Sequence, residues 1–142
     1  MDIRKLLASH KEIDDSINLK LEELAQLRAL AERCTVRITD ESRPVGTHSD
    51  KVGMYSAKMA DLENKINAQI DELVELKEKI MYLVGALEDE NERNVIERRF
   101  ILHESIDKIA DKLGFSSRHV HRMLCSALSH LDEHYAGIMM SA

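Results

Sequence analysis

Tryptophan is absent from this chain of 142 residues, and proline occurs only once, at Pro44. Aromatic residues make up 4% of the chain, whereas hydrophobic residues make up 44% and charged residues 32%. A core must therefore be built mainly from leucine, isoleucine, alanine and methionine. Because such a sequence has few helix breakers and little β-forming aromatic character, its composition predicts an all-α protein.

Cysteine is also scarce: Cys34 and Cys125 lie far apart in the sequence and form neither a disulfide framework nor a CxxC zinc motif. The sequence contains no run of 18 apolar residues, and its first residues carry a charge every few positions. These features predict neither a membrane span nor a signal peptide. We therefore expect a protein of the reducing cytoplasm with no membrane partner.

Catalytic signatures are missing as well. The sequence has no P-loop, no dinucleotide fingerprint and no nucleophile–base–orienter set. His121 with Cys125, and His130 with His134, are spaced four residues apart, but each pair offers only two of the ligands that a structural zinc site needs. We expect no enzyme activity, no catalytic residues, no metal and no cofactor.

The net charge of −6 hides an uneven distribution. Residues 91–142 contain seven Lys or Arg and seven Asp or Glu, so the whole acidic excess lies in residues 1–90. Residues 116–131 contain Arg118, Arg122 and three histidines but no acidic residue. The sequence therefore combines an acidic N-terminal part with a locally basic segment near its C-terminus.

The acidic part, residues 1–88, has a heptad pattern in two segments, which predicts helices at about 3–33 and 55–88 with a loop at 34–54. The predicted a and d positions are Ile3, Leu6, His10, Ile13, Ile17, Lys20, Leu24, Leu27 and Ala31, then Met59, Leu62, Ile66, Gln69, Leu73, Leu76, Ile80, Leu83 and Leu87. An antiparallel hairpin bent near Pro44 brings two of the polar members, Lys20 and Gln69, close together. We predict an N-terminal antiparallel coiled-coil hairpin.

Residues 89–136 predict a second domain of short helices. Asp89 is the expected N-cap of a helix at about 90–102, with Glu92 completing a capping box. Ser105 is the expected N-cap of a helix at 106–113 that ends at Gly114. Ser116 or Ser117 then begins a final helix that runs to about His134. Residues 137–142 are predicted to be a flexible tail.

The segment from Ser105 to Leu131 has the pattern of a helix-turn-helix without a wing. Ala110 is the small residue that two crossing helices need at their contact, and Gly114 accepts the positive φ of the tight turn. The inner faces are apolar: Ile106, Ile109, Leu113 and Phe115 on one side, and Val120, Met123, Leu124, Ala127, Leu128 and Leu131 on the other.

The opposite face of the last helix is predicted to bind double-stranded DNA. Arg118 and Arg122 can each bond a guanine edge in two places, and the start of a recognition helix is the part that reaches bases in the major groove. For two isolated arginines, a merely solvated face would be the simpler interpretation; the surrounding pattern favours DNA contact. The candidate DNA-binding residues are Ser116, Ser117, Arg118, His119, His121, Arg122 and Ser126.

Residues 89–131, and above all the continuous pattern from Ser105 to Leu131, resemble region 4 of the bacterial sigma-70 factors. The whole chain resembles small phage and prophage regulators that contain such a region. The resemblance implies a recognition helix for promoter DNA and, around residues 90–102, a surface for the RNA polymerase β-flap. That family has an acidic base-contacting residue where Arg118 stands, so we expect a target other than a consensus −35 element. The sequence contains no counterpart of the sigma-factor segments that melt the −10 element or clamp the core enzyme. We therefore expect a regulator and not a complete sigma factor.

Two arginines neutralise few phosphates, so the predicted affinity for DNA is weak and a second contact is needed. RNA polymerase and a second copy of the chain, which would make a homodimer, are the two candidates. The alternative function is a protein-interaction module that does not bind DNA. In that case, the hairpin binds a host or phage protein and the C-terminal helices dock on polymerase.

Overall fold

The protein is all-helical over the residues that the computed structural model describes, which are 3–40 and 46–141 for the backbone and 3–34 and 51–137 for the side chains. The elements are α1 (Ile3–Asp40), α2 (Gly46–Gly85), α3 (Glu90–Ile96), a π-helical turn (Glu97–Ile101), α4 (Ile106–Leu113) and α5 (Ser117–Ser141). No described residue belongs to a strand, which confirms the predicted all-α class. None of the described helices has the length and apolarity that crossing a membrane requires.

The chain divides into two compact units. One unit comprises Met1–Ile13 together with Leu73–Ala142, and the other comprises Asp14–Glu72. The division therefore falls within α1 and α2, whereas the predicted domain boundary lies at residue 88. The physical reason is that the first turns of α1 and the last turns of α2 share a hydrophobic core with the C-terminal helices.

In the unit Asp14–Glu72, α1 and α2 run antiparallel and contact each other along the predicted heptad positions. Ile17, Leu24 and Ile66 are buried there, and the other a and d side chains of this unit are half-buried. Ser16 joins the two polar members, because its hydroxyl accepts a hydrogen bond from Lys20 at 2.7 Å and another from the Gln69 amide at 3.0 Å. The side chains of Lys20 and Gln69 are therefore close, as predicted, but Ser16 lies between them.

The two long helices extend further into the predicted loop than expected, whereas α2 ends at Gly85, before the predicted end at residue 88. The predicted loop at 34–54 is wrong for most of its length, since α1 continues to Asp40 and α2 begins at Gly46. Residues 34–40 contain neither glycine nor proline to stop α1. The apolar repeat of α2 begins one heptad earlier than predicted, with half-buried Val52 and Tyr55. The predicted bend near Pro44 lies outside the described residues.

The other unit is organised around one core of aliphatic side chains. Its fully buried members come from every helix of the unit and include Ile3, Leu7, Ile80, Leu87, Val95, Ile96, Ile109, Val120, Ala127 and Leu131. Burying an aliphatic side chain of this size contributes roughly 1.5–3 kcal/mol. The C-terminal helices are therefore held in place by the ends of α1 and α2 as well as by each other.

Local signals set the limits of the short helices. The carboxylate of Asp89 caps α3 by accepting from the backbone N–H of Asn91 at 2.9 Å, and the hydroxyl of Ser105 caps α4 by accepting from Lys108 at 3.2 Å. α3 ends at Ile96, earlier than predicted, and the π-helical turn begins at the next residue. His103 follows with a left-handed backbone (φ 57°), and its Nε2 lies 3.2 Å from Nδ1 of His10 on α1.

The end of α5 also differs from the expectation. The tail predicted at 137–142 is helical as far as Ser141. Gly137 is the only residue there that disfavours a helix strongly, and one helical glycine costs only about 1 kcal/mol relative to alanine. The isoleucine and two methionines that follow it are compatible with a helix.

Gly114 ends α4 with φ 75°, and the N–H groups of Gly114 and Phe115 both donate to the carbonyl of Ala110 at 2.9 and 3.0 Å. A Cβ at this position would meet no atom within 4 Å, so Gly114→Ala tests the backbone conformation alone. We expect it to lower the free energy of unfolding by about 1–2 kcal/mol, measured by urea denaturation.

Gly137→Ala is the matched control for Gly114→Ala, because Gly137 has equal space but no positive φ. We expect this control to leave the stability unchanged or to raise it by up to about 1 kcal/mol. Equal effects of the two substitutions would contradict the left-handed turn.

Candidate nucleic-acid interface

The rotational setting of α5 decides which of its side chains can reach a ligand. Its inner face is buried, with Val120, Ala127 and Leu131 fully inaccessible to solvent. Ala110 of α4 is buried as well, which allows α4 and α5 to approach closely after the turn at Gly114. Because this inner face is fixed in the core, the residues on the opposite side must point to solvent.

Arg118 and Arg122 lie on this outward face, one turn apart. Both side chains are exposed, and within the described part of the chain neither guanidinium forms an ion pair or a hydrogen bond. Cys125 and Ser129 continue the same exposed stripe at helical spacing. The sequence prediction omitted these two residues, although the spacing of 118, 122, 125 and 129 was a signal that could have found them.

The three serines of the predicted site all have structural partners. The hydroxyl of Ser116 caps α5 by accepting from the backbone N–H of His119 at 3.1 Å. The hydroxyl of Ser117 donates to the carboxylate of Asp107 at 2.6 Å, and that of Ser126 donates to Glu92 at 2.8 Å. Ser126 therefore lies at the contact between α3 and α5, apart from the N-terminal turns that carry the arginines.

The two histidines of the predicted site flank the arginines on separate sides. The ring of His119 packs edge-on against Phe115, with 5.0 Å between the ring centroids. Nε2 of His121 lies 3.7 Å from the sulfur of Cys125. Among the described residues, no three or more His, Cys, Asp or Glu side chains are grouped so that they could hold a metal ion.

A buried carboxylate fixes α5 against α3. Glu92 is buried, and its two oxygens accept hydrogen bonds from Ser126 at 2.8 Å and from Nδ1 of His130 at 2.9 Å. The predicted capping-box role of Glu92 is wrong, because the side chain points toward α5 instead of back to Asp89. The hydrogen bond that His130 donates to Glu92, aided by the negative charge of that carboxylate, raises the pKa of His130 above its ordinary value.

A second buried carboxylate supports α4. Glu104 accepts hydrogen bonds from Lys112 at 2.9 Å and Arg98 at 3.2 Å, and Arg99 donates to its backbone carbonyl at 3.0 Å. The hydrogen bond from Lys112 lowers the pKa of Glu104, and the charges of Arg98 and Lys108 act in the same direction, whereas burial opposes them. Lys112 and Arg98 therefore compensate the buried negative charge of Glu104 through one of its two oxygens, Oε1.

The His130–Glu92 pair predicts a pH-dependent stability. Because the pKa of His130 is raised in the folded state, the pair stabilises most below the unfolded value of about 6.5 and loses that contribution as pH rises through the folded value. We expect His130→Gln to lower the melting temperature more at about pH 5.5 than at about pH 8.5.

Ser126→Ala is the control for His130→Gln, since it removes a hydrogen bond to the same carboxylate without removing a titratable group. Its effect on the melting temperature should be similar at both pH values. A loss from His130→Gln that does not change with pH would contradict the raised pKa.

Comparison of the chain with protein-family models, with curated proteins and with solved structures gives no match.

Proposed function

We propose that this protein is a DNA-binding transcription regulator, in which α4 and α5 form a helix-turn-helix and α5 enters the major groove of promoter DNA. In this proposal, the antiparallel segments of α1 and α2 form a coiled-coil hairpin. The observation that carries the proposal is the pair of exposed arginines without ion pairs on the N-terminal half of α5. The resemblance of residues 89–131 to sigma-70 region 4 supports the same function.

The arrangement of the arginines favours base contact. Arg118 and Arg122 are four residues apart, about 6 Å along the helix axis, so their guanidiniums can reach neighbouring base pairs. A guanidinium bonds O6 and N7 of guanine simultaneously, and each such contact contributes about 1–3 kcal/mol of discrimination. Since no internal carboxylate neutralises either group in the described part, their charges remain available for DNA.

The start of α5 is less suited to a phosphate than the sequence alone suggested. Backbone N–H groups at a helix start attract phosphate. Here, however, the carboxylate of Asp107 bonds Ser117 in the first turn of α5 and places a negative charge there. We therefore infer that base edges, contacted by the arginines, contribute more to binding than a phosphate at this helix end.

A second candidate function is protein binding through the α1–α2 segment. Leu19, Leu21 and Leu30 are exposed on α1, so a protein that binds this segment could bury apolar side chains that α1 and α2 leave in solvent. In this alternative, a host or phage protein binds the hairpin, and RNA polymerase binds the C-terminal helices. Co-purification with RNA polymerase that survives the loss of both arginines would favour this function over DNA binding.

Replacing the two arginines tests the main proposal. We expect Arg118→Ala with Arg122→Ala to weaken binding to selected duplexes by about 30-fold or more, because two base contacts of about 1–3 kcal/mol each are lost. The measurement is fluorescence anisotropy with duplexes selected from a random library, repeated at several salt concentrations to obtain the salt slope.

The control for that double change is Lys58→Ala with Lys65→Ala, which removes the same charge from exposed positions of α2. Equal binding and an equal salt slope for the wild type and the arginine double variant would contradict the proposed DNA contact.

Asp107→Asn should change the affinity for DNA in the opposite direction, toward tighter binding. The amide keeps an oxygen that can accept from Ser117, but it removes the negative charge beside α5. We expect duplex affinity to rise about three- to fivefold at low salt, an effect of about 0.6–1 kcal/mol that should shrink as salt increases. Asp132→Asn, an exposed change in the C-terminal half of α5, is the control. Weaker binding by Asp107→Asn would count against an anionic ligand at this end of α5.

A further inference from the structure

The end of α2 is apolar on both sides. Residues 80–87 have the sequence IMYLVGAL, without a polar residue. The inward members, Ile80, Leu83, Val84 and Leu87, are buried in the core. A helical segment that is hydrophobic all round normally has both of its faces covered. The outward face of this segment therefore calls for a partner of its own.

The outward face consists of Met81, Tyr82, Gly85 and Ala86, all of which are exposed. Tyr82 keeps 74% of its surface accessible to solvent. Ala86 and Leu87 prolong the helical turn past Gly85, with N–H groups donating to Leu83 and Val84 at 3.1 and 3.0 Å. These four residues thus form a continuous apolar face at the end of α2.

A groove of about 580 Å³ lies on this face, lined by the same four residues and by His134 of α5. Tyr82 is a large projecting ring, and Gly85 and Ala86, one turn further on, are the smallest residues available. A surface that presents a projection and a recess side by side can be complementary to itself across a twofold axis. This shape indicates a second copy of the same surface as the occupant.

The charges that flank the groove also favour a second copy of the same surface as its partner. Lys77, Glu78 and Lys79 precede it with a net positive charge, and Glu88, Asp89 and Glu90 follow it with a net negative charge. All six side chains are exposed. When two copies pack antiparallel with Tyr82 of each over Gly85 of the other, the basic end of each copy faces the acidic end of its partner. A parallel arrangement would place like charges together instead.

We propose that this face is a homodimer interface, in which Tyr82 of each chain inserts into the groove formed by Gly85, Ala86 and His134 of the other. The inference does not rest on the proposed DNA binding, because it uses neither Arg118 nor Arg122. A dimer would nevertheless supply the second contact that a weak DNA binder needs. In this dimer, the two copies associate through a defined surface and in an antiparallel register.

Sedimentation velocity without DNA, from about 10 to about 500 µM chain, tests the proposal over the range expected for a small interface. The wild type should move from monomer toward dimer with increasing concentration. Tyr82→Ser should weaken this association at least about tenfold, since each dimer loses two buried aromatic rings. Leu102→Ser, which alters another exposed apolar side chain away from the groove, should leave the association unchanged.

A charge exchange tests the register. Lys79→Glu and Glu88→Lys should each weaken the dimer about threefold or more, because every change acts twice in a symmetric interface. The combination of both changes should restore most of the association. A chain that stays monomeric at the highest concentration, or a Tyr82→Ser variant that dimerises like the wild type, would overturn the proposal and leave the groove to a different protein.

Discussion

The burial of one face of α5 is the constraint on which the rest of the C-terminal unit depends. Val120, Ala127 and Leu131 are completely enclosed by α3, α4 and the ends of α1 and α2. Rotating α5 by a single residue, about 100°, would bring charged or polar side chains into this core. The position of Arg118 and Arg122 on the surface is therefore a consequence of packing on the other side of the helix.

Two buried carboxylates reinforce that packing with directional bonds. Glu92 links α3 to α5 through Ser126 and His130, and Glu104 links α4 to the π-helical turn through Lys112 and Arg98. Buried charges are tolerated only when they are paired or hydrogen-bonded, so both arrangements require the helices to be correctly placed. Because Glu104 pairs with Lys112 and Arg98, its negative charge is offset by positive charges of the same unit.

Several features of the fold could be predicted because they depend on residues close together in sequence. The caps at Asp89, Ser105 and Ser116 and the left-handed turn at Gly114 follow from local chemistry. The heptad positions were predictable because the apolar spacing repeats over several turns. The helix ends near residues 40, 46 and 141 were not, because Pro44 and Gly46 indicate an interruption between the long helices without locating its limits, and weak propensities leave those limits open. The role of Glu92 was not predictable either. Its sequence context indicates a capping box, whereas its hydrogen-bond partners lie more than thirty residues away.

The sequence by itself determined the all-α class, the alternation of short helices after Asp89 and the residues that face outward on α5, because helical periodicity and capping act within a few residues. Only the tertiary structure decided that the hydroxyls of Ser117 and Ser126 donate hydrogen bonds to Asp107 and Glu92. It also decided that Met81, Tyr82, Gly85 and Ala86 remain exposed beside His134. These outcomes depend on which helices meet in space, and the free energy that selects those contacts comes from burial across the whole unit, which no local pattern encodes.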